Sequence, residues 1–418
     1  MSETVTIARL GARGDGIAAD GTPVAGALPG ERVTITRAEG RGVLDAVLDP
    51  SPDRIEPFCP HFGRCGGCAT QHLAPAAYAT WKQALLAQAL SQAGIGIEPE
   101  PTVDGHGEGR RRLTLHVRNR EGRAEAGLMA ARSHDLVAID HCPITVPALH
   151  PAPALAAALS APLGHGRKPL DVLVTATESG LDVDIRGHGP VEAGVRAALV
   201  RLAEAHGLAR LSLHGDVVVE RTTPVIRSGD AQLFPPPGGF LQATAAGEAA
   251  LTALVLEALP KKAKRVADLF AGSGPFSLAM ARRTDVHAVE GDAGALTGLD
   301  RTVRASTGLR RITQERRDLF RRPVLAHDLN GFDAVVIDPP RAGAEAQARQ
   351  LAESQVPRVI GVACDTGTFA RDAATLAAGG YRLERVTPVD QFRYSGHLEM
   401  VGVFTKVPER RPGLRRPR

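Results

Sequence analysis

Residues 265–281 read RVADLFAGSGPFSLAMA. An apolar run from Val266 to Leu269 gives way to a turn carrying Gly272 and Gly274, and then to a helical pattern opened by Pro275. The order is strand, turn, helix. Glycines let the backbone approach a ligand closely at a helix N-terminus, and an acid closing the following strand is placed to hold ribose hydroxyls. Glu290, which ends the strand in VHAVEGD eighteen residues beyond Gly272, is that acid. The turn lacks the three-glycine spacing of a dinucleotide site.

The surrounding stretch, 240–405, alternates apolar runs with helical patterns, which predicts an α/β fold with a doubly wound sheet. In such a sheet, ligands bind outside the carboxyl ends of the parallel strands. Two further strands end in chemistry. The run in FDAVVIDPPRAG closes on Asp338, and Pro339 with Pro340 ends backbone pairing there. The run in RVIGVACDTGTFARD closes on Cys364. A lone cysteine is most often a packed core residue. At a strand's carboxyl end it becomes a candidate nucleophile.

Upstream the composition changes. At 418 residues the chain exceeds one ordinary core, so two or three domains are expected. Residues 1–52 carry turn formers at 14–16, 20–21 and 29–30 between short alternating runs such as ERVTIT, which predicts a small β-barrel. Residues 53–235 read as a central β-rich domain, with alternating strands in LTLHVRN and DVLVTATESGLDVDIRG. It includes a helix over 75–93, free to pack on the catalytic domain, with Tyr78, Leu85 and Leu86 on one face. Residues 236–407 form the catalytic domain and 408–418 a basic tail. Net charge is only +4, yet 109–123 holds six arginines and the stretch from Lys406 to the end holds six basic residues against one Glu. Such clusters suit a polyanionic partner as well as a solvated face. The N-terminus MSETVTIARL has no leader pattern, and no apolar run reaches membrane-spanning length, so a cytoplasmic protein without a membrane partner is expected.

Five cysteines in such a chain point to metal binding or catalysis rather than disulfides. Cys59, Cys65 and Cys68 follow a C-x5-C-x2-C spacing, and Cys142 in IDHCPIT is the other cysteine outside the catalytic half. Four thiolates suit either an iron–sulfur cluster or tetrahedral zinc.

Several of these stretches resemble one family. DGIAADGTPVAGALPGERV resembles the TRAM domain, an OB-like RNA-binding barrel, and DLFAGSG resembles the S-adenosylmethionine motif of class I Rossmann-like methyltransferases. The barrel, the cysteine pattern, Phe240-Leu-Gln242, Asp338-Pro-Pro-Arg341 and FRYSGHLEM together resemble the RNA 5-methyluridine methyltransferases over nearly the whole chain. The nearest form acts on large-subunit ribosomal RNA, and transfer RNA enzymes of the family are the alternative. The resemblance implies a monomeric RNA (uracil-C5)-methyltransferase using S-adenosyl-L-methionine, with a [4Fe-4S] cluster on Cys59, Cys65, Cys68 and Cys142. It implies a catalytic Cys364 and Glu399, the latter starting a final antiparallel strand. It also implies a cofactor site from Gln242, Phe270, Gly272, Gly274, Glu290, Asp318 and Asp338, with Asp338 serving either cofactor or uracil. Phe240 would stack on a base. Arg341 in place of an aromatic argues against amino-group methylation. A rival of another class, an RNA-binding iron–sulfur protein with a degenerate fold, is opposed by the complete set of Cys364, Glu399, Glu290 and Asp338.

One departure stands out. The family pattern Ser-Cys-Asn-Pro is replaced by Ala363-Cys364-Asp365-Thr366. An acid beside the thiol is expected to raise its pKa, and the missing proline to leave the turn less fixed.

Overall fold

The computed structural model describes residues 2–120, 123–164 and 168–408. Five strands between Ser2 and Asp49 close into a barrel around Ile7, Val24, Val33 and Ile35. This is the expected barrel, and its foot is fixed by a buried carboxylate. Glu31 accepts from the amides of Leu28 (2.7 Å) and Ser51 (3.2 Å) and pairs with Arg54.

A seven-stranded sheet follows, in the order Asp216–Glu220, Arg210–Leu213, Gly180–Arg186, Leu170–Thr177, Arg112–Arg120, Arg123–Met129, Leu136–Ala138. Two helices, Ala152–Ser160 and Ala193–Ala205, pack Leu155, Leu159 and Leu199 onto Leu115, Val172 and Val183. The sequence reading had only strands here. Both segments are rich in Ala and Leu, strong helix formers, and lack period-two alternation.

The catalytic sheet has eight strands in the order Ile312–Arg316, Asp285–Glu290, Arg265–Leu269, Ala334–Ile337, Arg358–Ala363, Glu399–Lys406, Tyr381–Asp390, Val103–Asp104. The first five are mutually parallel, while Glu399–Lys406 runs antiparallel to both neighbours. Central strands are apolar on both faces because helices cover both, as for Ala334–Ile337, buried throughout. The helix Pro75–Gln92 sends Leu86 and Leu90 into one of these cores beside Phe369 and Ala370. The edge strand Val103–Asp104 likewise joins this sheet.

No described helix is long and apolar enough to cross a membrane. The basic tail from residue 409 lies outside the described residues.

Candidate active site

The parallel strands all stop at one rim, and each delivers a residue there. After Leu269 the chain turns through Phe270, held at φ +62°, and Gly272. Gly274 has φ +82°, which favours glycine, and a Cβ on it would also crowd Leu299 Cδ1. Glu290 ends the neighbouring strand and accepts from the amides of Gly272 (2.9 Å) and Asp292 (2.8 Å). It therefore ties the glycine turn to the next strand and keeps lone pairs for a ligand. Asp318 lies on the far side, accepting from the amide of Phe320 at 3.0 Å, and the Phe320 ring lies 5.3 Å from that of Phe270. Two rings and a carboxylate at the edge of the turn can take a flat, polar-edged group.

On the other side of the turn a continuous chain of polar groups crosses the rim. Gln242 donates to Asp338 (3.4 Å), Gln391 donates to Gln242 (2.7 Å), and Gln391 also donates to Glu399 (3.0 Å). All but Asp338 are buried outright, and Asp338 is half-buried as a residue. Sequence reasoning found three of the four. Gln391 sits one residue before the FRYSGHLEM stretch, where an amide after an apolar strand carries no distinguishing signal.

Burial governs the acids. It pushes Glu399 up to about 7, against one hydrogen bond from Gln391. Asp338 is driven well above the carboxylate range by burial first, then by Glu399 and Asp268. Asp268, wholly buried in the strand before the turn and bonded to Ser277 at 2.6 Å, is raised to about 7 chiefly by burial. Charges crowded in a low dielectric disfavour one another.

Cys364 follows the strand Arg358–Ala363. Ala363 pairs with Met400 in the antiparallel ladder, so the register carried one residue further sets Cys364 across from Glu399. The thiol is pushed up to about 12 by burial, then by Glu399 and Asp338, while Arg341 pulls it down. Asp365 adds to the rise, as expected, but it is the last of these causes. The turn has an anchor of its own in place of the proline. Asp365 caps the helix Thr366–Ala378 by accepting from the Thr368 amide at 2.9 Å, a task any Asp or Asn at an N-cap performs. Arg341 leans against the His397 ring, 2.9 Å from its Nε2.

Phe240 is 69% exposed, an unusual setting for a large ring. The loop bearing it is held from beneath by arginines that the sequence left open to RNA phosphates. Arg111, in a buried ion pair with Glu248, donates to the Gln242 carbonyl at 3.0 Å, and Arg112 donates to the Gly239 carbonyl at 3.1 Å. These two brace the site instead of facing phosphates.

Cys59, Cys65, Cys68 and Cys142 are all partly buried, free thiols, close enough that their charges act on one another. Among the described residues no three His, Cys, Asp or Glu groups meet around a single metal ion.

A doubly wound sheet with a terminal antiparallel strand, a glycine turn and an acid closing the next strand make up the fold of the S-adenosylmethionine-dependent methyltransferases. The Pyrococcus abyssi tRNA (uracil-54, C5)-methyltransferase, solved with S-adenosyl-L-homocysteine, matches this fold with a TM-score of 0.74 over 96% of this chain and 99% of that one, at 20% identity. A family model described as tRNA (Uracil-5-)-methyltransferase matches residues 209–407. An uncharacterized RNA methyltransferase of Brucella suis biovar 1 is 46% identical, covering 96% of this chain and 97% of its own. The 23S rRNA (uracil(1939)-C(5))-methyltransferase of Pseudomonas fluorescens is 36% identical, covering 96% and 94%. The chain belongs to the RNA uracil-C5 methyltransferase family, and it is an RNA methyltransferase enzyme.

Proposed function

We propose that this protein transfers the methyl group of S-adenosylmethionine to carbon 5 of one uridine in large-subunit ribosomal RNA, through a transient bond between Cys364 and carbon 6. The observation that carries the reading is the pairing of Ala363 with Met400, which leaves Cys364 and Glu399 as the next residues at neighbouring strand ends, close enough for Glu399 to act on the thiol.

Carbon 5 of uracil is a poor nucleophile and needs electron density from elsewhere. The Cys364 thiolate adds to carbon 6, and the resulting enolate attacks the sulfonium methyl, releasing S-adenosylhomocysteine. Glu399 then takes the proton from carbon 5, the sulfur–carbon bond breaks, and the 5,6 double bond and the thiolate are restored. Asp338, whose neutral form is favoured by burial and by Glu399, can in that form donate a hydrogen bond to a uracil carbonyl where the enolate charge collects. Gln242 holds Asp338 in place. The methyl donor occupies the glycine turn, with Glu290 on the ribose and the Phe270, Asp318 and Phe320 edge on the adenine. The target must leave its stack to reach this rim, and the exposed Phe240 offers it a ring.

Ribosomal RNA is favoured over transfer RNA because the Pseudomonas fluorescens enzyme acting on 23S rRNA is 36% identical to this chain, against 20% for the Pyrococcus abyssi enzyme acting on tRNA. The reading makes the enzyme a cytoplasmic monomer. Deleting the gene and mapping 5-methyluridine should show one lost site in large-subunit rRNA; loss confined to tRNA would overturn the assignment of target. Cys364→Ala retaining full methylation would overturn the mechanism.

The same reading assigns a [4Fe-4S] cluster to Cys59, Cys65, Cys68 and Cys142. What supports it is that the four thiols are free and lie close enough for their charges to act on one another. It would cross-link the segment 59–68 to Cys142. Anaerobically purified protein should contain iron and sulfide in about equal amounts. Zinc without sulfide would overturn the assignment.

A further inference from the structure

The connection Gln391–Leu398 carries Gln391 at one end and runs into Glu399 at the other. Its course is set by a buried lysine on another part of the chain. Lys82, on the helix Pro75–Gln92, is fully buried, an exceptional setting for an ammonium group. Its Nζ lies 2.9 Å from Asp390 Oδ1, donates to the Ser395 carbonyl at 2.9 Å, and donates to the His397 carbonyl. Tyr78, one turn earlier on the same face, donates to Asp390 Oδ2 at 2.6 Å and accepts from the Tyr394 amide at 3.0 Å.

The ammonium donates two hydrogen bonds to the connection itself and forms an ion pair with the last residue of the strand Tyr381–Asp390. A buried charge tolerates no unfilled partner, so the connection is held wherever these carbonyls are. Other contacts press it into the same course. The Tyr394 carbonyl accepts from the Ala69 amide at 2.7 Å, just past Cys68. A Cβ on Gly396 would lie 2.0 Å from the Ala12 carbonyl, so the barrel closes against it. Tyr394 itself sits at φ +66°, a conformation a non-glycine residue keeps only where its surroundings impose it. Lys82 touches neither Cys364 nor Glu399.

We propose that Lys82 is a positioning residue for the carbon 5 proton transfer: by clamping Ser395 and His397 against Asp390 and Tyr78, it sets where Gln391 and Glu399 stand. The inference rests on the reading of Glu399 as the base. It makes the last step of the reaction, and not the first, depend on a helix outside the catalytic sheet. Attack by Cys364 and methyl transfer need no base at carbon 5. Elimination does.

The steps separate in a single-turnover experiment with total RNA from a strain lacking the gene and methyl-labelled S-adenosylmethionine. Label first enters an enzyme–RNA covalent complex, seen on a denaturing gel after nuclease trimming, and then appears in free RNA. Glu399→Gln should accumulate labelled complex. Lys82→Met should load label within about threefold of the wild-type rate and release it about tenfold or more slowly. Tyr78→Phe, which loses one hydroxyl, should slow release in the same direction and serves as the reader if Lys82→Met does not fold. Wild-type release in both folded variants would overturn the proposal, as would equal slowing of loading and release. If Glu399→Gln accumulates complex while the Lys82 and Tyr78 variants do not, the positioning role alone fails. If Glu399→Gln accumulates none, the base assignment fails and the positioning role falls with it.

Discussion

Ala363 pairs with Met400 at the end of an antiparallel ladder, which brings Cys364 and Glu399, the next residue outward on each side, to the same rim. The proposed nucleophile and the proposed base are thus brought together by backbone register, with Gln391 bonded to Glu399 at 3.0 Å. Removing either should leave distinct traces. Cys364→Ala should abolish both the covalent complex and methylation, whereas Glu399→Gln should lower turnover by about 10²- to 10⁴-fold, the range for a lost general base. Quantifying 5-methyluridine by mass spectrometry of digested RNA checks both.

Glu399, the proposed base, has a raised pKa, and the pH dependence follows. Glu399 accepts a proton only when ionised, so release of methylated RNA should rise tenfold per pH unit below about 7 and level off above it. Stability should run the opposite way. The folded value of about 7 lies above the ordinary 4.5, so the native state binds this proton more tightly than the unfolded one. The associated stability is full below about pH 4.5 and is lost as pH rises through about 7. Thermal melts of wild type and Glu399→Gln across that window should converge at its acid end and diverge at its alkaline end.

Gly274→Ala tests the cofactor turn. The new methyl group meets Leu299 Cδ1 at 2.4 Å on a backbone at φ +82°. Strain and overpacking of this kind cost about 1–3 kcal/mol each. A lowered Tm and weaker S-adenosylhomocysteine binding by calorimetry are expected, with the barrel and central sheet intact by far-UV dichroism.

Asp365 distinguishes a capping role from an electrostatic one. Asp365→Asn keeps the bond from the Thr368 amide and removes the negative charge, so the pH profile of Cys364 alkylation should move slightly toward lower pH at unchanged Tm. Asp365→Ala should cost about 1 kcal/mol of stability through loss of the cap. Identical alkylation profiles for wild type and Asp365→Asn would show that this charge does not reach the thiol.

Much of the site could be read from the chain because strand ends announce themselves. Each of the runs before Gly272, Glu290, Asp338 and Cys364 is apolar, short and closed by a turn former, and a doubly wound sheet puts all such ends on one side. Tyr78, Leu85 and Leu86 marked an inward helix face, and Lys82 lies on it at helical spacing from Tyr78. Nothing local says that a lysine there is buried. Its partners Asp390, Ser395 and His397 lie more than three hundred residues away. The helices Ala152–Ser160 and Ala193–Ala205 were passed over because they are short and lie between well-marked strands.

The sequence alone determined the α/β sheet, the glycine turn, the barrel and the four-cysteine pattern, since each rests on periodicity or spacing within a few residues. Only the tertiary structure decided what the polar groups do. It made Arg111 a brace under Gln242 instead of an RNA contact, turned Asp365 into a cap, and brought Gln391 between Gln242 and Glu399. Apolar patterning is a local property because burial depends on the face a residue occupies. The partner of a buried polar group is fixed by which distant segment meets it, and that is known only once the chain has packed.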